Sequence, residues 1–270
     1  MKRTERVGAI IKILTDRPCT RFPLQYFCDR FDAAKPSISE DLTMAASALA
    51  VTGTGIIETV SGANGGAWFL PSISDASLAQ LQEEFVQRLQ DPSRILGGGF
   101  LYTSDLMYDT CLIDRLANVF ARKFRDNGAD YVATVETKGI PLAARTAHKL
   151  GIPLVIIRRE AKVSEGSTVS INYFSGSYDR IQKMSIAKRA VTPGAKALII
   201  DDFMRAGGSV RGIRDILAEF DVSVVGTGLA IASAKPEKKK IEAYTSVLIL
   251  GEVDEENRRI QAFPNQHIFQ

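Results

Sequence analysis

Apolar positions change their spacing twice along the chain. Near the N-terminus, Val7, Ile10, Ile11 and Leu14 recur at i, i+3, i+4 and i+7, the one-sided stripe of an amphipathic helix. Pro18 ends that stripe. Pro23 opens a second short helix with Leu24, Phe27 and Cys28 inward. A third helix, from about Ser37, carries Ile38, Leu42, Ala45 and Leu49 on one face. The chain then turns extended. Short β runs at residues 55–60 and 67–70 flank an Asn-Gly-Gly turn around Asn64, which predicts a hairpin. Helical spacing returns at Leu78, Leu81, Phe85 and Leu89, with Ser74 or Asp75 as its cap.

From about residue 101, helical stripes alternate with continuous apolar runs. Leu112, Leu116, Val119, Phe120 and Phe124 mark one helix, and residues 140–150 another. The runs at 131–135, 153–157, 197–200, 222–232 and 246–250 have strand length. This alternation predicts an α/β fold with a mostly parallel sheet, whose ligands bind beyond the carboxyl ends of the strands. Three helices and a hairpin, by contrast, are the order of a winged-helix DNA-binding domain. The expected organisation is a winged helix over residues 1–72, a connecting helix and Gly-rich hinge over 73–99, and an effector-binding domain over 100–270.

Composition narrows this reading. The 270 residues are 45% hydrophobic, ample for two ordinary cores. No apolar run reaches the 18 residues of a membrane span, and Met1–Arg6 has no signal-peptide core behind it. Three scattered cysteines argue against a disulfide scaffold, and two distant histidines give no zinc spacing. The expectation is a cytoplasmic protein without a resident metal site or a membrane partner. A net charge of +3 does not by itself announce nucleic acid. Residues 1–21 are more basic, with six Lys/Arg against two acids. The third helix of a winged helix enters the major groove, with its N-terminal residues nearest the bases. Candidate DNA contacts are therefore Lys2, Arg3, Arg6, Lys35, Ser37, Ser39 and, on the wing, Asn64.

The chemistry concentrates in residues 197–212, ALIIDDFMRAGGSVRG. An apolar strand leads into Asp201 and Asp202. The small-residue turn Ala206-Gly207-Gly208-Ser209 follows, then a helix with Val210, Ile213, Ile216 and Leu217 on one face. A glycine turn at a helix N-terminus is a phosphate cradle, because unpaired backbone N–H groups and the helix dipole both favour an anion. The loop is neither a Walker A motif, which needs a following Lys, nor a dinucleotide fingerprint, whose acid comes after the glycines. Two carboxylates ahead of a phosphate loop suit a ribose phosphate. A second anion site is expected at Glu136-Thr137-Lys138-Gly139, where a strand gives way to a helix. Residues 158–189 form a long polar connection with two readings: a functional lid or mobile loop, with Arg158, Arg159 and Lys162 placed to meet a pyrophosphate, or a flexible β-hairpin with solvated charges. Residues 95–100 read as a hinge or tight turn, and 235–240 as a solvated turn without a site.

Residues 201–209 resemble the phosphoribosyl pyrophosphate (PRPP) motif of type I phosphoribosyltransferases, except that Arg205 and Ala206 replace a small residue and a threonine. Several stretches together resemble the purine operon repressor family of Gram-positive bacteria. They are Ala34-Lys35-Pro36-Ser37-Ile38-Ser39-Glu40-Asp41-Leu42, Gly62-Ala63-Asn64-Gly65-Gly66, Thr137-Lys138-Gly139-Ile140-Pro141-Leu142-Ala143, Glu165-Gly166-Ser167-Thr168-Val169-Ser170-Ile171-Asn172-Tyr173 and the Asp201–Gly208 stretch. The resemblance implies a homodimeric repressor of purine genes that binds double-stranded operator DNA and is released by PRPP. It also implies site roles. Asp201 and Asp202 would hold the ribose hydroxyls; Ala206, Gly207, Gly208 and Ser209 the 5-phosphate; and Thr137, Lys138 and Gly139 the pyrophosphate with Mg²⁺. Binding without catalysis tolerates the departures at 205 and 206, because catalysis needs groups matched to a transition state. Two alternatives stay open: a purine phosphoribosyltransferase with a fused regulatory domain, and competition for the same loops by pyrophosphate-bearing guanine nucleotides.

Overall fold

The computed structural model describes residues 1–62, 65–175 and 180–270. The first unit packs α1 (Arg3–Asp16), α2 (Leu24–Phe31) and α3 (Lys35–Thr52) against the hairpin β1 (Gly55–Val60) and β2 (Gly66–Pro71). Its core holds Ile10, Leu14, Phe27, Ile38, Leu42 and Ala45, the inward positions of the three predicted stripes, together with Ala67 and Phe69 of β2. This is the expected winged helix. The third helix begins two residues earlier than its apolar pattern does, because Pro36 fits the first turn, where no intrahelical N–H is needed. Asn64 lies outside the described residues.

The second unit runs through α4 (Asp75–Leu89), β3 (Ile95–Gly97), β4 (Phe100–Leu101), α5 (Ser104–Met107), α6 (Thr110–Phe124), β5 (Tyr131–Val135), α7 (Ile140–Leu150), β6 (Leu154–Ile157), β7 (Thr168–Ser175), β8 (Arg180–Ala187), β9 (Lys196–Met204), α8 (Gly208–Ala218), β10 (Ser223–Ser233), β11 (Thr245–Asp254) and β12 (Arg259–Pro264). Six strands form one sheet in the order β12-β11-β10-β9-β5-β6, parallel except for β12. Successive residues of β9 feed opposite faces. Leu198 and Ile200 join the core beneath α4, α6 and α7, whereas Ala197 and Ile199 join the core beneath α8 and the β7–β8 hairpin. No helix of the described residues is long and apolar enough to cross a membrane.

One expectation is corrected here, and one open alternative is decided. The helix read as a connector, α4, belongs to the second core: Leu78, Leu81, Phe85 and Leu89 are buried there, and Gln82 donates to the carbonyls of Val247 and Asn265. The polar connection from 158 onward takes the hairpin reading. Its β7 and β8 pair in register from Thr168–Ala187 to Ser175–Arg180, and Tyr173 and Met184 are buried against α8 at Gly212.

The two units meet along α6 and α7. Arg125 donates to the Pro71 carbonyl at 2.7 Å, and Arg122 to that of Ile73 at 2.8 Å. At the far end of α7, Gly151 has φ +68°, and a Cβ there would stand 3.1 Å from Cys19 Cβ and from the Pro18 carbonyl. The Cys19 thiol donates to the Lys149 carbonyl at 3.4 Å, and burial pushes its pKa up.

Candidate functional site

The carboxyl ends of the neighbouring parallel strands β5 and β9 place Glu136–Gly139 beside Asp201 and Asp202. Strand pairing carries β9 four residues past the apolar run, so both aspartates lie within the strand. With the ends of β10 and β11 they border a cavity of about 610 Å³, lined among others by Thr137, Lys138, Arg159, Asp201, Asp202, Arg205 and Ser209. Ala206, Gly207 and Gly208 border a smaller adjoining recess together with Arg205 and Ser209.

Each loop has a local cause. Gly207 takes φ +83° as N-cap of α8 and offers no side chain to cap the helix, which leaves the first-turn amides for another acceptor. Gly139 is required by proximity. A Cβ there would fall 2.2 Å from Asp201 Oδ1 and 2.8 Å from Thr134 Oγ1. The loop ahead of α7 therefore rests directly on Asp201.

The charges are arranged in opposition. Asp201 is buried, its Oδ1 accepts the Asp202 amide at 2.9 Å, and its carboxyl is held well above the ordinary range, first by burial and then by the adjacent Asp202 charge. Lys138 Nζ donates to Thr103 Oγ1 at 3.0 Å and stands 3.8 Å from Asp202 Oδ2. Arg159, Arg205 and Lys235 add positive charge to the wall, while Glu136 and Glu252 add negative. The three basic residues of the connecting stretch part company. Arg159 lines the cavity; Arg158 is tied to Glu165 at 2.7 Å and Glu136 at 3.4 Å; Lys162 is exposed and is not among the lining residues.

Several lining residues escaped the sequence reading. Of the hinge and the tight turn, residues 95–100 take the tight turn: they form the β3–β4 hairpin, three successive glycines with positive φ at its turn. It carries Gly99 and Phe100 over the cavity, and Glu255 Oε1 accepts the Gly99 amide at 2.7 Å. Arg94, buried beneath, fixes the hairpin through a two-pronged pair with Asp105 and bonds to the Arg88 and Tyr102 carbonyls. Lys235, read as part of a solvated turn, also lines the cavity. The rule that ligands sit beyond strand ends, applied to β10 and β11, points to Ser233, Lys235 and Leu250–Val253 as well.

On the winged helix, Lys2, Lys35 and Ser39 are exposed, and Ser37 is partly so. Arg3 and Arg6 have another employment. Asp41 is buried at 0% exposure; Arg6 Nε bonds to its Oδ2 at 2.7 Å, and Arg3 Nε lies 3.2 Å from its Oδ1. Arg3 also meets Glu40 at 2.8 Å. These pairs clamp α1 to α3, so Arg6 is taken up internally rather than offered to a phosphate. Beyond Glu40, which pairs with Arg3, the exposed positions of α3 include Ser39, Thr43, Ser47, Ala48 and Ala50 together with Met44 and Val51. Small and hydroxyl-bearing side chains of this kind allow close approach and hydrogen bonding to a groove.

The fold and its cavity define a winged-helix transcription regulator built on a phosphoribosyltransferase fold. Residues 2–71 match the model of the bacterial purine repressor N-terminal domain, and residues 109–262 that of the phosphoribosyl transferase domain. The chain is 39% identical over 260 residues to the purine biosynthesis transcriptional repressor PurR of Bacillus subtilis (strain 168), covering 96% of this chain and 91% of that one. It is 35% identical to the purine biosynthesis transcriptional activator PurR of Lactococcus lactis subsp. lactis (strain IL1403), covering 96% of each. Among solved structures, an adenine phosphoribosyltransferase from Thermoanaerobacter pseudethanolicus shares the fold with a TM-score of 0.53 at 20% identity, over 63% of this chain and 99% of that one. The chain belongs to the PurR family of purine biosynthesis transcriptional regulators.

Proposed function

We propose that this protein represses purine biosynthesis and salvage genes by binding operator DNA as a homodimer, and that PRPP entering the cavity releases it. In this reading, Asp201 and Asp202 accept the ribose hydroxyls. The first-turn amides of α8 with Ser209 take the 5-phosphate, while Thr137, Lys138 and the Gly139 amide take the pyrophosphate. Mg²⁺ binds through one or two carboxylates plus phosphate oxygens. The hard oxygens of Asp202 and Asp201 fit that need, and a divalent cation there would offset the burial and the Asp202 repulsion that together hold Asp201 back from ionising. Lys35, Ser37 and Ser39 meet the duplex, one α3 to each half-site. A reader of bacterial chromosomal DNA works in the cytoplasm.

One observation carries the coupling. The loop Thr137–Gly139 leads directly into α7, and the other end of α7 abuts Pro18 and Cys19 at the end of α1. A ligand that moves the loop pushes on a rigid rod whose far end touches the DNA-reading unit. The test is fluorescence anisotropy of duplex DNA from upstream of purine genes, titrated with protein with and without PRPP and Mg²⁺. Operator affinity that stays the same at saturating PRPP removes the inducer role.

A second reading has support in the same cavity. Phe100, Leu101, Phe203, Leu250 and Val253 give it an apolar wall, suited to a purine base. Such a wall would serve residual transfer of the phosphoribosyl group to a free base, or a guanine nucleotide bearing pyrophosphate. Base-dependent pyrophosphate release distinguishes the first, and calorimetric competition against PRPP the second.

A further inference from the structure

Residues 235–241 follow β10 and, by composition, belong in solvent. The structure instead presses this segment against the phosphate loop. Lys239 is half-buried, and its ammonium donates to the Arg205 carbonyl at 2.7 Å and to the Ser233 carbonyl at 2.6 Å. The next residue, Lys240, donates its amide to the Ala206 carbonyl at 2.9 Å. A Cβ on Gly207 would stand 3.3 Å from Ile241 Cγ1. Three consecutive residues therefore hold three consecutive positions of the loop.

The peptide unit is planar, with its carbonyl and amide pointing in opposite directions. Fixing the Arg205 carbonyl toward Lys239 turns the Ala206 amide away from the segment. Fixing the Ala206 carbonyl toward Lys240 does the same to the Gly207 amide. Both amides are thereby left for an anion in the recess bounded by residues 203–210. The partners of Lys239 are neutral carbonyls, so its positive charge is not cancelled and adds to the field at the loop. Burial lowers its pKa, as desolvation of an ammonium requires.

We propose that Lys239 is a positioning residue for the effector's 5-phosphate: it clamps the loop to the end of β10 and holds its amides in the orientation an anion needs. The proposal rests on the reading that PRPP occupies the cavity. It implies a split between the two anionic ends of the ligand, because Lys239 touches the 205–209 loop and not the 137–139 loop.

Calorimetry on the full-length protein tests it with PRPP, ribose 5-phosphate and inorganic pyrophosphate, each with Mg²⁺. Loss of one charge-assisted support predicts that K239M weakens ribose 5-phosphate and PRPP roughly tenfold to a hundredfold. Pyrophosphate affinity should stay within about twofold, on the same principle that only contacts removed are lost, and it serves as the internal control for folding. K239R, which keeps a cation and donors, should recover most of the loss. If K239M does not fold, K239Q reads the same split. Equal binding of ribose 5-phosphate by wild type and K239M overturns the role of Lys239 alone. So does a parallel loss of pyrophosphate, which would mark general damage. Wild-type protein that binds none of the three ligands overturns the effector reading and this proposal with it.

Discussion

Asp201→Asn is expected to stabilise the ligand-free protein at neutral pH while weakening its hold on PRPP. In the unfolded chain this carboxyl ionises near 3.8; in the folded chain burial and the Asp202 charge hold it well above that. Between the two values the folded state keeps a proton that the unfolded state has released. Stability is then highest at and below the ordinary value, and falls as pH rises through the folded one. Asparagine cannot ionise, so the variant loses that slope and melts higher than wild type at pH 7–8. The cost falls on the ligand. With Mg²⁺ bound and Asp201 ionised, one charged acceptor facing a ribose hydroxyl contributes about 1.5–3 kcal/mol, so affinity falls roughly tenfold to 150-fold. At PRPP 100 times the wild-type Kd, ligand stabilises wild type by about 2.7 kcal/mol; a variant thirtyfold weaker gains only about 0.9 kcal/mol. Thermal melts from pH 5 to 8, with and without PRPP and Mg²⁺, read both effects. A variant that melts below wild type with the same pH slope, and gains as much from PRPP, refutes the reasoning.

Gly139→Ala should destabilise by about 1–3 kcal/mol in urea melts and abolish measurable PRPP binding, because its methyl would occupy the space of Asp201 Oδ1. Arg6→Ala should lower stability by about 1–3 kcal/mol, since buried Asp41 loses its aligned partner and keeps only Arg3. Lys35→Ala, on an exposed side chain, should change stability by less than about 0.5 kcal/mol. It should instead weaken binding to all DNA sequences alike and reduce the slope of log K against log salt by about 1, readable by anisotropy at several salt concentrations. Gly151→Ala forces a side chain into a left-handed position against Cys19, and should shrink the PRPP-induced change in DNA affinity more than PRPP binding itself. Comparing PRPP titrations of free and DNA-bound protein checks that difference.

Apolar spacing was enough to locate every helix of the winged unit and the parallel strands β5, β6, β9, β10 and β11, because each buries one face or both. The DD-loop-helix order likewise marked the centre of the cavity. What spacing could not convey was tertiary. Whether α4 bridges units or joins a core depends on partners such as Leu248 and Ala262, far along the chain. The antiparallel strand β12 is short and polar on alternate positions, and only pairing with β11 makes it a strand. Residues 95–100 left hinge and tight turn both open because three glycines carry no periodicity, and the place of the β3–β4 hairpin over the cavity is set by Arg94 and Glu255. In a one-dimensional sequence Arg6 reads as a DNA contact and Lys239 as a solvated charge; Asp41, which claims the first, lies 35 residues away, and the Arg205 carbonyl, one of two that claim the second, lies 34 away.

The meeting of Gly151 with Pro18 and Cys19 bears on how freely such regulators can be recombined. The contact is made by backbone and small atoms that fit one another closely, while the same helix opens on the Thr137–Gly139 loop at its other end. A different DNA reader grafted at residue 72 would inherit the sensor intact yet find no matching surface for the tip of α7. Such chimeras should bind their two ligands independently until the 18–19 turn is transplanted too.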